Sequence, residues 1–123
     1  MPDRVAEFAE RDVERLLQDA SIVRHRGKIE AAIANARATV ELRASEPLHE
    51  LFWSYAPESH TSPRGHGDWF ASTPESAALS KRLKQAGLRF VGPTTVYAAM
   101  QACGVVNDHL ADCWVRGAVE AMR

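Results

Sequence analysis

Apolar residues in the first half of the chain recur at the three- and four-residue spacing that places side chains on one face of an α-helix. Val5 and Phe8 mark a short first helix, and the spacing predicts a second from about Arg11 to Asp19. The clearest stripe predicts a long helix from about His25 to Arg43, and its apolar positions are Ile29, Ala32, Ile33, Ala36 and Val40.

The middle of the chain has a different character. A shorter helix is predicted over residues 47–55, with Pro47 in its first turn. Residues 56–71 hold two prolines, two glycines and several hydroxyl side chains, so they are predicted to form a long loop. Trp69 and Phe70 are expected to anchor the end of this loop in the core.

Two helices that meet at a tight turn are predicted in the second half. The first covers about residues 74–86, because Thr73 is a typical N-cap and Gly87 a typical stop. The next begins at residue 93 or 94, runs to about residue 102 and ends at Gly104. Alternating β-branched runs never reach five residues, so the chain is predicted to be all-α.

Composition narrows the class of protein. A length of 123 residues suits one domain, and 46% apolar with 25% charged residues is typical of a folded globular chain. The net charge of −1 argues against a uniformly basic nucleic-acid binder. No apolar run could cross a membrane, residues 1–20 lack a secretion signal, and two cysteines cannot make a disulfide framework. A cytoplasmic location without membrane contact is therefore expected.

A basic segment coincides with the predicted helix–turn–helix. Residues 76–107 contain no acidic side chain and four basic ones, Lys81, Arg82, Lys84 and Arg89. The start of a helix after a tight turn presents backbone N–H groups that can bind phosphate. A simpler interpretation, which composition alone favours, is a solvated basic face on a hairpin whose core residues are Leu79, Leu83, Val96 and Met100.

The turn itself resembles the hairpin of a helix-hairpin-helix DNA-binding motif. Gly92 matches the second glycine of that motif and Thr95 its threonine, whereas Phe90 stands where the first glycine usually lies. The resemblance implies that the residues that contact DNA are Arg89, Phe90, Gly92, Thr94 and Thr95.

Four blocks of sequence, taken in order, resemble the type I DNA-3-methyladenine glycosylases of bacterial base-excision repair. They are DVERLLQDA (12–20), IVRHRGKI with NARA (22–38), LSKRLK with FVG (79–92) and MQACGVVNDH (100–109). The resemblance implies a helix-hairpin-helix glycosylase fold, with one helical domain over 1–123 and its hairpin at about 79–103. It also implies an enzyme that flips 3-methyladenine out of alkylated duplex DNA and hydrolyses the N-glycosidic bond.

The N-terminal third of that family has no counterpart in the sequence, so the fold is expected to be N-terminally incomplete. In the family this third carries the base-pocket glutamate, stacking aromatic residues and two of four zinc ligands. No catalytic residue is therefore assigned. The available carboxylates are expected to be solvated charges or helix caps, and they are Glu30, Glu41, Glu50 and Asp108.

His109 and Cys113 match the other two zinc ligands of the family. A spacing of four residues places both side chains on one face of a helical turn, and Zn²⁺ accepts imidazole and thiolate ligands. The resemblance implies half of a structural zinc site within residues 107–114, and weak or absent zinc is expected because such sites have four ligands. Without the family, a buried cysteine beside a capping histidine is the simpler interpretation.

Several other side chains have simple expected roles. Trp53 and Trp69 are expected to be core anchors rather than platforms for bases, and Cys103 is expected to pack in the helix after the hairpin. A second basic cluster at residues 24–28 lies in the first turn of a helix, where cations oppose the dipole. The cluster is either a solvated first turn or a site for an anion such as phosphate, and this cost favours an anion or a buried carboxylate as its partner.

Three functions remain open on the sequence alone. The chain is part of a glycosylase, or it is a module that grips the DNA backbone without chemistry, or it is an inactive remnant. In the third case, exposed apolar surface would make the chain associate, and the sequence does not determine its oligomeric state. Salt-sensitive DNA binding distinguishes the second case from the third.

Overall fold

The computed structural model describes residues 2–123, and every regular element of this part of the chain is helical. This confirms the all-α prediction. The elements are α1 (Pro2–Ala6), α2 (Glu10–Leu17), α3 (Arg26–Leu42), α4 (Leu48–Ser54), a 3₁₀ turn (His66–Asp68), α5 (Pro74–Gln85), α6 (Pro93–Ala102) and α7 (Arg116–Ala121). None of these helices is long and apolar enough to cross a lipid bilayer.

The chain divides into two compact units. The first takes in the chain up to Leu48 together with Arg82–Val91, and the second consists of His49–Lys81 and Gly92–Arg123. The single domain expected over residues 1–123 stays a prediction.

The first unit is built on α3. Helices α1 and α2 pack against it, and Val13, Ile29 and Ile33 form the centre of their shared core. The predicted stripe needs one correction, because Ala32 is exposed whereas Ala31 is buried. The small alanine side chain tolerates either environment, so its position in a stripe is weak evidence for burial.

The start of α3 explains the basic cluster at residues 24–28. His25 caps the helix, and its Nδ1 accepts a hydrogen bond from the Lys28 backbone N–H at 3.1 Å. The Arg26 guanidinium forms ion pairs with Glu10, at 2.7 Å, and with Glu14. These carboxylates are solvent-exposed, so the expected buried carboxylate partner is wrong. The unfavourable interaction between these cations and the helix dipole is offset by acidic side chains from α2.

Local chemistry sets the bounds of α5 and α6 as predicted. Thr73 Oγ1 accepts from the Ser76 N–H at 3.2 Å, and Ser76 Oγ accepts from the Thr73 N–H at 2.9 Å. This is a reciprocal capping box with serine in the third position. Gly87 (φ +91°) and Gly104 (φ +75°) follow the two helices in the left-handed region. One detail differs, because α4 begins at Leu48 and Pro47 precedes it.

Burial confirms part of the predicted core and corrects the rest. Each of the four hairpin residues expected to be buried is at most 2% exposed, and they are Leu79, Leu83, Val96 and Met100. By contrast, Trp53, Trp69 and Phe70 are exposed, so the expectation that they anchor the core is wrong. Cys103 is also exposed, because it lies at the C-cap of α6 and not inside that helix. The sequence did not predict α7.

Candidate functional site

The predicted DNA-binding residues of the first unit are exposed. Both Arg89 and Phe90 present their side chains to solvent, and 59% of Phe90 is accessible. The Phe90 backbone has φ +56°, the one left-handed non-glycine conformation among the described residues. Glycine adopts this conformation without steric cost. The backbone at Phe90 therefore has the shape that the glycine of the motif favours, although the residue is phenylalanine.

Asn35, on α3, holds the residue before Phe90. Its side-chain Nδ2 donates to the Arg89 carbonyl oxygen at 3.0 Å, and its Oδ1 accepts from the Arg89 backbone N–H at 2.7 Å. Sequence reasoning did not single out this residue. The available signal was a lone amide between the buried positions Ile33 and Ala36.

The other predicted DNA-binding residues begin α6 in the second unit. Gly92 is the N-cap, and Thr94 and Thr95 lie exposed in the first turn. The first N–H groups of a helix have no partner within it, and Pro93 removes one of them. A Cβ atom built on Gly92 would meet nothing within 4 Å. Packing among the described residues therefore does not require glycine at this position. Close approach of a ligand to the start of the helix would require it.

Not all of the basic segment is available for a ligand. Arg82 pairs with the Glu46 carboxylate, which neutralises it. Lys81, Lys84 and Arg89 are exposed and have no ion pair with the acidic side chains of residues 2–123. Three of the four cations thus remain free to attract phosphate.

The Asp108 carboxylate, in the second unit, is bonded to three different side chains. Its Oδ2 accepts from the Tyr97 hydroxyl and from Gln101 Nε2, each at 2.6 Å. Its Oδ1 lies 2.5 Å from His60 Nε2, and the Asp108 side chain is 10% exposed. The expectation of a solvated charge or cap is therefore wrong for Asp108. It holds for Glu30, Glu41 and Glu50, whose side chains reach solvent.

The hydrogen bonds decide the ionisation of this cluster. Burial alone would raise the pKa of Asp108, but the bonds from Tyr97, Gln101 and His60 outweigh it and hold the pKa below its usual value. Burial and the adjacent Asp108 carboxylate raise the pKa of Tyr97. Asp108 is thus an anion at neutral pH, and Tyr97 keeps its proton.

The backbone around Asp108 is fixed as firmly as its side chain. Trp69 Nε1 donates to the Asp108 carbonyl at 2.9 Å, which holds the end of the 56–71 loop by a hydrogen bond where burial was expected. Arg116 Nη1 donates to the carbonyls of Asn107, at 2.9 Å, and His109, at 2.6 Å. The Asn107 side chain donates to Arg116 O and to a carboxylate oxygen of Glu120. The segment that leads to His109 therefore has a defined conformation.

The predicted metal ligands lie side by side. His109 Nδ1 and Cys113 Sγ are 3.8 Å apart, although the segment consists of turns and not of the helical turn that the spacing suggested. Tetrahedral zinc with usual bond lengths separates a nitrogen and a sulfur ligand by about 3.6 Å. The pair therefore fits two coordination positions. Structural zinc takes four, and residues 2–123 contain no group of three or more potential ligands.

Comparison with known proteins identifies relatives of this chain. The methyladenine glycosylase family model matches residues 1–116. The chain is 48% identical over 115 residues to DNA-3-methyladenine glycosylase 1 of Escherichia coli (strain K12) and 34% identical over 122 residues to DNA-3-methyladenine glycosylase of Haemophilus influenzae. Each match covers 91% of this chain and 62% of the relative, so the chain spans less than two thirds of their length.

Solved structures agree with these sequence matches. A crystal structure of 3-methyladenine DNA glycosylase I matches with a TM-score of 0.86 at 46% identity, covering 92% of this chain and 64% of the other. The enzyme from Staphylococcus aureus matches with a TM-score of 0.86 at 31% identity, covering 94% and 63%. The all-helical fold, the shared sequence and the family model lead to one conclusion: the chain belongs to the methyladenine glycosylase family.

Proposed function

We propose that the chain acts in the removal of 3-methyladenine from alkylated duplex DNA, by hydrolysis of the N-glycosidic bond. The observation that carries this proposal is the match of 92% of the chain to a 3-methyladenine DNA glycosylase I structure, with a TM-score of 0.86 and 46% identity. The relatives that carry this activity in their names are about half as long again as this chain, as their 62% coverage implies.

The part of this function that the described residues support best is the grip on the DNA backbone, through a helix-hairpin-helix motif. In the second unit, the exposed first turn of α6 at Thr94 and Thr95 offers backbone N–H groups to a phosphate, and Gly92 leaves room for it. In the first unit, Arg89 supplies charge and Phe90 an exposed aromatic face. These contacts carry no base specificity, which suits an enzyme that searches duplex DNA for damage.

Asp108 is not the base that activates water in this proposal. Both of its carboxylate oxygens already accept hydrogen bonds, and those bonds hold its pKa low. A general base needs a free lone pair and a pKa near the working pH. A cationic methylated base is itself a good leaving group, so catalysis requires mainly that the base be extruded from the duplex and oriented. No catalytic residue is assigned among the described residues.

Zinc is the proposed cofactor, with His109 and Cys113 as two of its ligands. Their 3.8 Å separation and their donor chemistry fit half of a tetrahedral site. Zinc bound there would cross-link the tail of the second unit and take no part in the reaction. Two ligands bind zinc weakly, so low occupancy is expected for these 123 residues.

A second candidate is a module that binds DNA without chemistry. The specific observation in its favour is the contrast between the exposed residues of the hairpin and the fully engaged Asp108 carboxylate.

Association through exposed apolar side chains belongs to the third interpretation, an inactive remnant. Its support is the exposure of Val23 (81%), Met122 (78%) and Trp114 (92%).

One experiment separates these possibilities. The purified 123-residue chain is incubated with duplex DNA that carries radiolabelled methyl groups, and released 3-methyladenine is measured by chromatography. Binding of the same duplex is followed by fluorescence anisotropy at several salt concentrations, and light scattering reports the oligomeric state. Release above the rate without protein supports the glycosylase. Salt-dependent binding without release supports the module, and a folded chain with neither contradicts both proposals.

A further inference from the structure

We propose that Asn35 is a positioning residue, which holds the hairpin backbone at Arg89 so that the Arg89 guanidinium is placed for contact with DNA. The inference rests on the DNA-binding function proposed above and adds a residue on α3 that does not itself touch DNA. All of the residues that carry it belong to the first unit.

The contact between Asn35 and Arg89 uses both polar atoms of the Asn35 side-chain amide and both polar groups of the Arg89 backbone. The amide of Asn35 donates to the Arg89 carbonyl at 3.0 Å and accepts from the Arg89 N–H at 2.7 Å, across 54 positions of sequence. This is the pairing that one residue of a neighbouring β-strand would make. Two parallel bonds fix a peptide segment in orientation as well as in distance.

Two further contacts give the segment Arg82–Phe90 a register along α3. Arg82 pairs with Glu46, just beyond the C-terminal end of that helix. A Cβ atom built on Gly87 would lie 3.9 Å from the Cβ atom of Ala38. Arg89 then meets Asn35. Later positions of the segment therefore meet earlier positions of α3, as in an antiparallel arrangement. The contact with Asn35 is the last of the three before the turn.

The residue that follows this fixed point has a strained backbone. A left-handed conformation is sterically unfavourable for a residue with a Cβ atom, and it persists only where the surroundings impose it. Phe90 has this conformation with an exposed side chain, so burial of the ring does not impose it. Asn35 fixes the peptide groups on both sides of the Arg89 Cα, which restricts the backbone conformations open to Phe90.

The same pairing determines which groups of Arg89 can reach DNA. Asn35 occupies both the N–H and the carbonyl of Arg89, so this residue has no free backbone donor for a phosphate. Its exposed guanidinium is the group that remains. Asn35 therefore acts through Arg89, by holding the base of that side chain.

The test is a double-mutant cycle on DNA affinity. The variants are Asn35→Ala, Arg89→Ala and the two together, and the probe is a 15-base-pair duplex with a fluorescent label. We expect Asn35→Ala to weaken binding about ten-fold and to lower the salt slope by about one phosphate contact. In the Arg89→Ala background, the Asn35 substitution should change affinity less than two-fold. An equal loss in both backgrounds overturns the inference.

Two controls separate positioning from general instability. Asn35→Leu keeps the size of the side chain and its packing but can form neither bond to Arg89, so it should bind DNA as weakly as Asn35→Ala. Ile33→Val removes one methyl group from the core of the same helix, and it should lower the melting temperature while leaving affinity and salt slope unchanged. If Ile33→Val weakens binding as much as Asn35→Ala, destabilisation explains both results and the inference is wrong.

Amide hydrogen exchange keeps this test independent of the proposed function. The Arg89 N–H should be protected in the parent chain without DNA, and Asn35→Ala should speed its exchange at least ten-fold while Ile29 exchange changes less. If the parent chain binds no DNA but this protection is observed, the proposed function fails and the contact stands. Rapid exchange of Arg89 in the parent chain overturns the positioning inference itself.

Discussion

The hydroxyl of Tyr97 donates to Asp108 Oδ2 at 2.6 Å, from a ring that is 2% exposed. The bond joins α6 to the irregular segment that carries the predicted metal ligand His109. Gln101, one turn further along α6, donates to the same oxygen at 2.6 Å. Helix α6 therefore orients the chain beyond its own C-terminus, and it does so through a buried charge. Removing one donor leaves a carboxylate that has lost part of the compensation for its desolvation.

Substitution of Tyr97 by phenylalanine should be costly. The variant keeps the ring and its packing but removes one of the three side-chain bonds to Asp108, so we expect the free energy of unfolding to fall by about 1–3 kcal/mol. Chemical denaturation followed by circular dichroism measures it. Tyr55→Phe is the matched control, because the Tyr55 hydroxyl has no hydrogen bond among the described residues. Equal effects of the two substitutions would contradict a special role for the Asp108 bond.

The Asp108 cluster should make stability depend on pH in the acid range. The folded-state pKa of Asp108 lies below that of the unfolded chain, since bonds from Tyr97, Gln101 and His60 outweigh the effect of burial. The contribution of Asp108 to the free energy of unfolding is therefore complete above about pH 5, and it is lost as the pH falls through the folded-state pKa. We expect Asp108→Asn to be less stable than the parent chain at pH 7, and the gap to shrink towards pH 3. A gap in melting temperature that stays constant from pH 7 to pH 3 would refute this sign.

Two glycines that flank the hairpin turn should respond differently to alanine. Gly87 has φ +91°, so alanine there should cost about 1–2 kcal/mol although its Cβ would meet only Ala38, at 3.9 Å. Gly92 has φ −64° and open space around it. There the reduced entropy of the unfolded chain and the poorer N-cap oppose each other, so alanine should change stability by less than about 0.5 kcal/mol. Thermal unfolding of both variants checks this contrast.

Gly92→Asp should separate DNA binding from folding. Aspartate is a favourable N-cap, so the variant should be at least as stable as the parent chain. We expect DNA affinity to fall at least ten-fold, since the new carboxylate would stand where a phosphate is proposed to approach. Fluorescence anisotropy at constant salt measures this loss.

Two further variants control for charge. Gly65→Asp adds the same charge at a half-buried N-cap in the 56–71 loop, where a Cβ also meets nothing within 4 Å, and it should bind DNA normally. Gly92→Asn caps α6 without the charge and should lose less affinity than Gly92→Asp. Unchanged binding by Gly92→Asp would exclude the start of α6 as a DNA contact.

Cobalt is a direct probe of the proposed metal ligands. At millimolar Co²⁺ the parent chain should show a thiolate-to-cobalt absorption band, and Cys113→Ser should abolish it. Cys103→Ser is the matched control, because Cys103 is the other free cysteine and is exposed. Chelation should shift the melting temperature of the parent chain little, since two ligands hold a metal weakly. A band that survives Cys113→Ser would show that Cys113 is not a ligand, and a large shift on chelation would show a more complete site.

Some corrections arise because a local signal has more than one tertiary outcome. Trp69 and Phe70 were expected to anchor a loop by burial, yet the loop end is held by the Trp69 indole N–H on the Asp108 carbonyl. Apolar character predicts removal from water, but a large aromatic side chain next to a turn can remain at the surface. Alanine at position 32 was misplaced for a related reason, because its small side chain constrains the helix face little.

The sequence by itself determined helices α1 to α6 and the turn between α5 and α6. Caps, stop signals and apolar spacing act within four or five residues, so Thr73, Gly87, Pro93 and Gly104 predict helix ends without knowledge of the rest of the chain. The four blocks of family sequence also determined the fold, which the solved relatives confirm. They further placed His109 and Cys113 as a pair, whose side chains the structure brings to 3.8 Å.

Only the tertiary structure decided which polar groups meet. Asp108 is bonded to His60, 48 positions away, and Asn35 to Arg89, 54 positions away. Neither pair has a periodicity or a fixed spacing, because hydrogen bonds between distant segments depend on how helices pack and on which groups packing removes from water. An aspartate that looks like a surface charge thus becomes a buried anion with three donors. An asparagine inside a helix likewise becomes the residue that orients a distant turn.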